Sequence, residues 1–327
     1  MISATLAVIV VLGLASWYVF ERSGPATTSS NNQLSRTENA SDSGSCKFRD
    51  SMGCHWYLGA PVLALLYRAD PRLVQRYFDY PTTFVAVTQP EQLSEIPLAW
   101  KVTPIFTFFD EAKLHAAIVT HSLPSGIRGV SLDDELAVCK VYGQRECTPQ
   151  AEQGNPVPYE QDASRLAKLN HFVYLDVGAA PDPTNGGDRW HAAAFANYVD
   201  SQIQLSEANL SRFTQESTTY LAGWRSAPGV YNSSRYPGAT DTTAQVIDGI
   251  TAKVPTCPTG QRGCTTYQTA TPTQMGDAVK ATMGTGIWGY WLNCPSGRTP
   301  GPGPCDQADV RAMDAFLKNM VTVFNPT

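Results

Sequence analysis

The sequence predicts an α/β fold, a single (β/α)8 TIM-like barrel, on three observations. After Cys46, short apolar runs alternate with longer stretches of helical spacing, the pattern of parallel α/β proteins. Seven strand candidates and about as many helices in roughly 280 residues fit an eightfold barrel with one strand unrecognised better than a doubly wound sheet. The first candidate βα turns carry neither G-x-G-x-x-G nor G-x-x-x-x-G-K, so the motifs of nucleotide-binding sheets are missing.

The elements follow from apolar runs and from helical spacing along the chain. The predicted strands, in order, are Thr83–Thr88, Val102–Phe109, Ile127–Glu135, Phe172–Val177, Val199–Leu205, Gly229–Tyr231 and Gly286–Leu292. The predicted helices are Glu111–Ser122, Gln161–Leu169, Trp190–Tyr198, Leu210–Trp224, Ala244–Val254, Thr273–Met283 and Gln307–Val323.

The N-terminus is unlike the core of a globular domain. Residues Ile2 to Phe20 are nineteen uncharged residues, about the length that spans a bilayer as a helix, and Trp17 and Tyr18 lie near the end of this run. A retained single anchor and a cleaved signal peptide both fit residues 1–22, and either one exports the remaining chain. Residues 23–45 are Ser/Thr/Asn-rich and predict a flexible stalk, which leaves 46–327 for the barrel.

Eight cysteines occur as four neighbouring couples with separations of 8, 8, 7 and 11 residues. This arrangement predicts four local disulfides and an oxidising compartment, in agreement with export. A zinc site is not indicated, because no C-x-x-C occurs and the histidines are scattered. Asn39, Asn209 and Asn232 have the form of N-glycosylation acceptors. The couples are Cys46 and Cys54, Cys139 and Cys147, Cys257 and Cys264, and Cys294 and Cys305.

The charge balance bears on partners. The 327 residues include 24 basic and 29 acidic side chains, a net charge of -5, and no long Lys/Arg run. Nucleic acid is therefore not an expected partner. A membrane is expected only through the N-terminal segment, where that segment is retained.

Side-chain alternation along the strands directs polar groups into the barrel. In 127–135, Val130 and Leu132 face the helices, and the other face carries Gly129, Ser131, Asp133 and Glu135. The same reasoning puts Phe172, Tyr174 and Asp176 inside, followed by Asp200, Gln202 and Gln204. On the last strand Trp291 and Asn293 share one face. Because barrel active sites lie at the carboxyl ends of the strands, we expect a site there, a structural polar network being the alternative.

The candidate chemistry is glycoside hydrolysis. Asp133 and Glu135 lie about 6 to 7 Å apart at Cα, so they can share a proton and raise the pKa of one carboxyl. Asp176 adds a third carboxylate, and convergent carboxylates with amides and aromatic rings are typical of a glycosidase cleft. The predicted sugar contacts are Gln202, Gln204, Tyr174, Trp291 and Asn293. The candidate stacking rings, each also a candidate core residue, are Trp190, Trp224, Trp288, Tyr290 and Trp291.

Other chemistries have less support. No G-x-S-x-G nucleophile elbow occurs, and paired cysteines leave no thiol nucleophile. A divalent cation on Asp133, Glu135 and Asp176 is an alternative use of these oxygens, but no His-rich set supports a transition metal. We predict neither a metal nor a cofactor.

The segment Gly129-Val-Ser-Leu-Asp-Asp-Glu135 resembles the D-G-x-D-x-D-x-E strand motif of family 18 chitinase-like glycoside hydrolases, which are TIM barrels. The resemblance implies that Glu135 protonates the glycosidic oxygen and that Asp133 positions the substrate N-acetyl group. Arg128 and Ser131 replace the first two acidic positions, Asp134 takes a place that is usually aromatic, and Gln202-Ile-Gln204 lacks the family's Tyr-Asp.

Two functions follow from these residues. The first is an exported glycoside hydrolase-like barrel that cleaves or processes a polysaccharide, with Glu135 as proton donor and Asp133 or Asp176 as its charged partner. The second is a noncatalytic carbohydrate-binding or surface structural protein on the same barrel.

Overall fold

A computed structural model describes residues 55–108, 111–133, 172–177, 197–230, 245–257, 266–294 and 304–324. Eight parallel strands close into a barrel in the order β1-β10-β7-β6-β5-β4-β3-β2. This topology confirms the predicted (β/α)8 fold. The strands of the barrel are β1 (His55–Gly59), β2 (Thr83–Val87), β3 (Thr103–Phe108), β4 (Gly129–Asp133), β5 (Phe172–Val177), β6 (Tyr198–Ser201), β7 (Gln245–Thr251) and β10 (Gly289–Asn293).

The remaining described elements surround this barrel. A small antiparallel pair, β8 (Lys253–Pro255) with β9 (Tyr267–Thr269), follows β7 directly. The described helices are α1 (Ala60–Ala69), α2 (Pro71–Phe78), α3 (Glu111–Val119), α4 (Leu210–Val230), α5 (Pro272–Thr282) and α6 (Gln307–Phe324), with 3₁₀ turns at Pro90–Glu95 and Gln204–Ser206.

The outer face of the strands forms the main hydrophobic core against the helices. Trp56 and Leu58 on β1 and Ile250 on β7 are buried there with Phe316 of α6 and Met275 of α5. The residues between them in sequence point to the other face, as the two-residue period of a strand requires. The barrel interior holds a separate cluster that includes Tyr57, Phe84, Ala86, Ile105 and Ile247.

Helix ends follow local capping chemistry. Asp70 accepts a hydrogen bond from the backbone N–H of Leu73 at the start of α2, and Pro71 occupies the first position, where no N–H is needed. Thr271 and Gln274 form a reciprocal capping box at the start of α5. Asn209 is exposed, and its Oδ1 accepts from the backbone N–H of Arg212 at the start of α4.

The amino end of the barrel is filled by aromatic rings. We call His55, Phe84, Tyr198 and Trp288 the floor cluster, because each lies within one residue of the start of its strand. The rings of His55 and Trp288 stack with an interplanar angle of 16°. Trp288 also lies 4.6 Å from Tyr198 and 5.3 Å from Phe84, measured between ring centroids. The barrel is therefore packed at this end with large rings in offset and edge contacts.

Two sequence predictions for the second half of the chain are wrong. Residues predicted as the helix Ala244–Val254 form the strand β7, whose positions after Gln245 are all buried. Burial of both faces removes the alternation of polar and apolar residues that identifies a strand, so the apolar spacing imitates a helix. The predicted strand at 229–231 begins inside α4, which includes Gly229 and Val230.

The first strand and the two helices after it, β1, α1 and α2, were not predicted. The predicted helix 161–169 lies outside the described residues. So does most of the predicted helix 190–198, whose last residue, Tyr198, begins β6. None of the helices in the described part of the chain is long and apolar enough to cross a bilayer, and the predicted segment Ile2 to Phe20 is not among the described residues.

One predicted disulfide, Cys294 with Cys305, is confirmed, and it links the end of β10 to the start of α6. Cys257 is also disulfide-bonded. The other predicted members, Cys46, Cys54, Cys139, Cys147 and Cys264, lie outside the described residues. Lys253 makes further contacts close to this disulfide. Its Nζ lies 3.2 Å from Oδ2 of the buried Asp309 and 2.8 Å from the carbonyl oxygen of Pro304.

Candidate active site

Three aspartates lie in one register row across β4, β5 and β6. Asp133 is the register partner of Asp176, and Asp176 is the partner of Asp200. Asp200 in turn pairs with Ile247 of the interior cluster. Register partners in a parallel sheet share a face, so all three positions belong to the interior face of the barrel. Each lies within the last two residues of its strand, at the end that we call the mouth.

The row spans more than one depth in the barrel. Strands tilt relative to the barrel axis, so a row of register partners descends as it passes around the barrel. The same row continues from Asp200 through Ile247 and Gly289 to His55 in the floor cluster. Asp200 is accordingly fully buried, below the rim that Asp133 marks at the end of β4.

The predicted proton donor, Glu135, lies two residues beyond the end of β4 and outside the described residues. Its distance from Asp133 and Asp176 stays a prediction. Ser131 is described: it is fully buried on the interior face, where the resembled motif carries an acidic residue.

Gln202 and Gln204 do not continue the strand, contrary to the sequence prediction. β6 ends at Ser201, because Ile203 adopts φ -95° and ψ 0° and a 3₁₀ turn follows at Gln204–Ser206. Leu205, predicted to pack on the helices, is 53% exposed. Gln202 is half-buried and Gln204 is buried, so the two amides differ in position as well as in exposure.

Gln204 nevertheless reaches the mouth by another route. Its Oε1 lies over Gly249 of β7, where an added Cβ would be 2.6 Å from this oxygen. Gly249 is two residues after Ile247, so this Cβ would lie on the interior face. The absence of a side chain at Gly249 leaves the space that the Gln204 side chain occupies.

The position of each aromatic residue on strand β10 shows whether its ring faces the barrel interior or the helices, which the sequence left open. Trp291, a register partner of Gly249, is half-buried on the interior face and makes an edge contact with Tyr57 at 6.1 Å between centroids. Asn293, also half-buried, is the partner of Thr251 at the rim. Tyr290 faces outward, fully buried, and its hydroxyl donates to the carbonyl oxygen of Val279 at 2.8 Å. Tyr290 is therefore a core residue, while Trp291 remains a candidate for sugar stacking.

Of the other predicted aromatic residues, one lies at the floor, and the rest are known by backbone position alone or lie outside the described residues. Trp288 belongs to the floor cluster, at the opposite end from the mouth. Tyr174 occupies an interior register position beside Tyr198 and one interior step below Asp176. Trp190 lies outside the described residues, and of Trp224 only the position on α4 is described.

A buried carboxyl group at the mouth, Glu207, was not predicted. It follows the 3₁₀ turn after β6 and is 2% exposed. Its Oε2 accepts the backbone N–H of Thr251 at the end of β7 at 2.7 Å. Burial raises the pKa of Glu207 to about 8, an effect opposed by this hydrogen bond. The sequence signal that could have identified it is its place as the acid between the predicted strand Val199–Leu205 and the predicted helix that begins at Leu210.

A second buried carboxyl, Asp248, lies on the outer face of β7. It accepts hydrogen bonds from the hydroxyls of Ser201 at 2.7 Å and Ser217 at 2.6 Å. Burial raises its pKa to about 6, against the opposing effect of its hydroxyl donors. Because Asp248 points away from the interior, it joins α4 to the barrel wall and does not belong to the mouth.

Metal-ligating groups gather once among the described residues, at Cys294, Cys305 and Asp309. The two sulfurs are bonded to each other, so this group offers no thiolate ligand.

The similarity of this chain to known proteins is distant. The sequence matches no family model, and no curated protein is significantly similar to it. Among solved structures, a chitinase from Chromobacterium violaceum has 14% identity and a TM-score of 0.43, covering 81% of this chain and 99% of the chitinase chain. A GH5_18 protein from Streptomyces cattleya, in complex with GlcNAc, has 11% identity and a TM-score of 0.44, covering 84% and 81%.

The HMG-CoA lyase from Brucella melitensis is similar to the same degree, with 12% identity and a TM-score of 0.43 over 82% of this chain and 90% of the lyase. The barrel itself is established by the strand topology.

Proposed function

We propose that the protein is a glycoside hydrolase-like barrel that cleaves or processes a polysaccharide by carboxylate acid/base catalysis at the mouth. The observation that carries this proposal is the register row Asp133, Asp176 and Asp200 on the interior face of three consecutive strands. A purely structural barrel interior is filled by Val, Ile and Leu, so three aspartates in one interior row favour a role beyond packing.

In this proposal Glu135 donates the proton to the glycosidic oxygen. Continued strand alternation past Asp133 would give Glu135 the same interior face, about 6 to 7 Å further along at Cα. Asp133 or Asp176 is the charged partner that keeps the acid protonated or stabilises the developing positive charge on the sugar. Neighbouring parallel strands are about 4.8 Å apart, so Asp133 and Asp176 are adjacent in backbone position.

Sugar binding involves the remaining mouth residues. The Gln204 amide lies over Gly249, and Trp291 is the next interior position on the neighbouring strand. Asn293 is at the rim of β10. An amide that contacts hydroxyl groups next to a half-buried indole is a common way to bind a sugar ring, with hydrogen bonds at its edge and stacking on its face. Gln202 and Tyr174 complete the proposed set.

Export of the barrel is part of the proposal. The disulfide between Cys294 and Cys305 supports an oxidising compartment, such as the cell surface or the extracellular space. The apolar N-terminal run provides either an anchor or a cleaved signal.

The test is turnover of a panel of polysaccharides by the parent protein and by Glu135→Gln, which keeps the size of the side chain and removes its titratable proton. We expect turnover to fall about 10²- to 10⁴-fold, the usual contribution of a general acid. Asp277→Asn is the matched control, because Asp277 is a partly exposed acid on α5 that pairs only with Lys280 in the described structure. Undiminished turnover in Glu135→Gln would contradict the acid assignment.

Ser131 supports a second candidate function, a noncatalytic carbohydrate-binding protein. It places a small hydroxyl where the resembled motif has an acid, which is consistent with a site that has kept binding and lost chemistry. Glycan binding by the parent without turnover, and unchanged by Glu135→Gln, would favour this second function.

A further inference from the structure

The chain between β6 and α4 folds back over the end of β7. Ile203, Gln204, Ser206 and Glu207 are all buried in this segment, which we call the 203–207 segment. On its outer side Ser206 Oγ donates to Glu216 Oε2 of α4 at 2.5 Å. Glu216 also accepts from Arg212 Nε at 2.7 Å, so the segment is fixed to the helix that follows it.

On its inner side the segment meets a strand edge. The last residue of β6, Ser201, pairs with Asp248, so β7 extends to Thr251 without β6 beside it. The backbone N–H of Ala252 bonds to Asn293 of β10, and the preceding N–H, that of Thr251, faces the opposite side. Glu207 Oε2 accepts this N–H at 2.7 Å. Glu207 thus replaces the missing strand as the acceptor at the edge of β7.

Two buried acceptor atoms of the segment have no donor among the described residues. They are Glu207 Oε1 and Gln204 Oε1. A buried acceptor without a donor costs free energy, and an ionised carboxylate costs more than a neutral group. Protonation removes the buried charge of Glu207 and with it the larger part of this cost.

The charges around Glu207 do not favour ionisation. The charged groups on the packed elements are Asp200, Asp248, Lys253 and the pair Arg212 with Glu216. Lys253 is engaged by Asp309 and Arg212 by Glu216, so no cation of the described residues pairs with Glu207. Burial without a countercharge accounts for the raised pKa of about 8.

We propose that Glu207 is a positioning residue whose protonated carboxyl group anchors the 203–207 segment on the end of β7 and thereby holds Gln204 at the mouth. Loss of the proton leaves a buried, uncompensated charge, and the segment separates from the strand edge. The role of Gln204 as a sugar contact rests on the proposed function, whereas the anchoring does not.

The anchoring is tested by hydrogen exchange of peptides covering residues 203–209 and 249–252, at pH 7 and pH 9, in the full-length protein without substrate. After correction for the intrinsic exchange rate, we expect protection in the parent to fall about tenfold at pH 9, one pH unit above the pKa. Glu207→Gln cannot ionise, and its protection should be the same at both pH values within about twofold.

Glu216→Gln is the matched control, because it removes a carboxylate from the other side of the same segment. It should retain the loss of protection at pH 9. A parallel loss in Glu207→Gln and the parent, or a parent insensitive to pH, overturns the proposal. If Glu207→Gln does not fold, the comparison of the parent at the two pH values decides alone.

Where a substrate is found, KM and kcat separate positioning from chemistry. We expect the ratio of the parent's KM to that of Glu207→Gln to rise about tenfold from pH 7 to pH 9, with the ratio of kcat values nearly constant. Turnover lost in Glu135→Gln tests the proposed function separately, since it does not depend on the exchange result.

Discussion

The two ends of the barrel are built from the same strands but differ in chemistry. At the amino end, the floor cluster packs four rings against one another, with Trp288 in contact with the other three. At the carboxyl end, the interior positions carry aspartates, and Gln204 replaces a side chain over Gly249. On β6, Tyr198 of the floor cluster and Asp200 of the register row are neighbours on one face, so the two kinds of interior lining lie only two residues apart.

The largest expected difference between the two ends comes from removing the central floor ring. Trp288→Ala should lower the free energy of unfolding by about 3 to 5 kcal/mol, because it removes a large ring and leaves a cavity. Urea unfolding followed by circular dichroism measures this change. Glycan binding or turnover at a temperature where the variant is folded should stay within about twofold, since Trp288 lies at the far end from the mouth.

The control for this variant is Leu98→Ala. Leu98 is fully exposed, so its removal should change the free energy of unfolding by less than about 0.5 kcal/mol. A Trp288→Ala protein as stable as the Leu98→Ala protein would mean that the floor cluster does not hold the barrel.

The two ends can also be compared by making the same substitution, glycine to alanine, at one position in each. A Cβ on Gly289, at the floor, would overlap the backbone carbonyl of His55. A Cβ on Gly249, at the mouth, would meet the end of the flexible Gln204 side chain at 2.6 Å. Backbone cannot move aside as a side chain can, so Gly289→Ala should cost more than Gly249→Ala, for which overpacking predicts about 1 to 3 kcal/mol.

The same pair also separates function from stability. Thermal unfolding measures the cost of each alanine, and ligand binding measures the effect on the mouth. Gly249→Ala should weaken glycan binding because it displaces Gln204, whereas any folded Gly289→Ala protein should bind normally. Equal destabilisation by both substitutions would contradict the difference in packing between the two ends.

The smallest effect concerns the opposite pH responses of the two ends. Burial lowers the pKa of His55 to about 3, against its backbone hydrogen bond to Thr82. Below about pH 6.5 the unfolded chain takes up a proton that folded His55 does not, so stability present above pH 6.5 is lost as the pH falls. Relative to His55→Gln, the parent should lose on the order of 1 kcal/mol per pH unit in urea unfolding between pH 6.5 and pH 4.5.

The contribution of Glu207, at the mouth, to stability changes with pH in the opposite direction. Its folded pKa of about 8 exceeds the ordinary value of 4.5, so the folded state holds the proton between these values and stability declines as the pH rises through them. Asp248 also has a raised pKa, so its contribution to stability likewise declines as the pH rises through the acidic range. The effect of His55 is therefore taken as the difference between the parent and His55→Gln. An identical slope in the parent and in His55→Gln would show that the His55 ring is not buried neutral.

The alternation of polar and apolar residues identified some of the strands. In β4 and β5 the alternation gave both the strands and their interior positions, including Asp133, Asp176 and Tyr174. It failed for β7, where both faces are buried and the alternation disappears. The pairing of Cys294 with Cys305 was predictable because the two cysteines are close in sequence.

The parts of the candidate site that the sequence did not predict depend on contacts distant in sequence. Glu207 bonds to Thr251, 44 residues later, and no local pattern marks that contact. Gln204 lies at the mouth because Gly249 leaves room for it, not because it extends β6. Strand propensity gave no signal for the end of β6 at Ser201, since the apolar Ile203 and Leu205 continue the alternation beyond it.

The closure of the ring by β1 and β10 has a consequence for how the chain is made. These strands come from opposite ends of the folded region, yet they pair directly, and His55 stacks on Trp288 at the same seam. A ribosome must therefore synthesise the chain through β10 before the seam can form, and a product truncated before Gly289 would keep two open strand edges. The nascent chain therefore cannot close its barrel until β10 has been made.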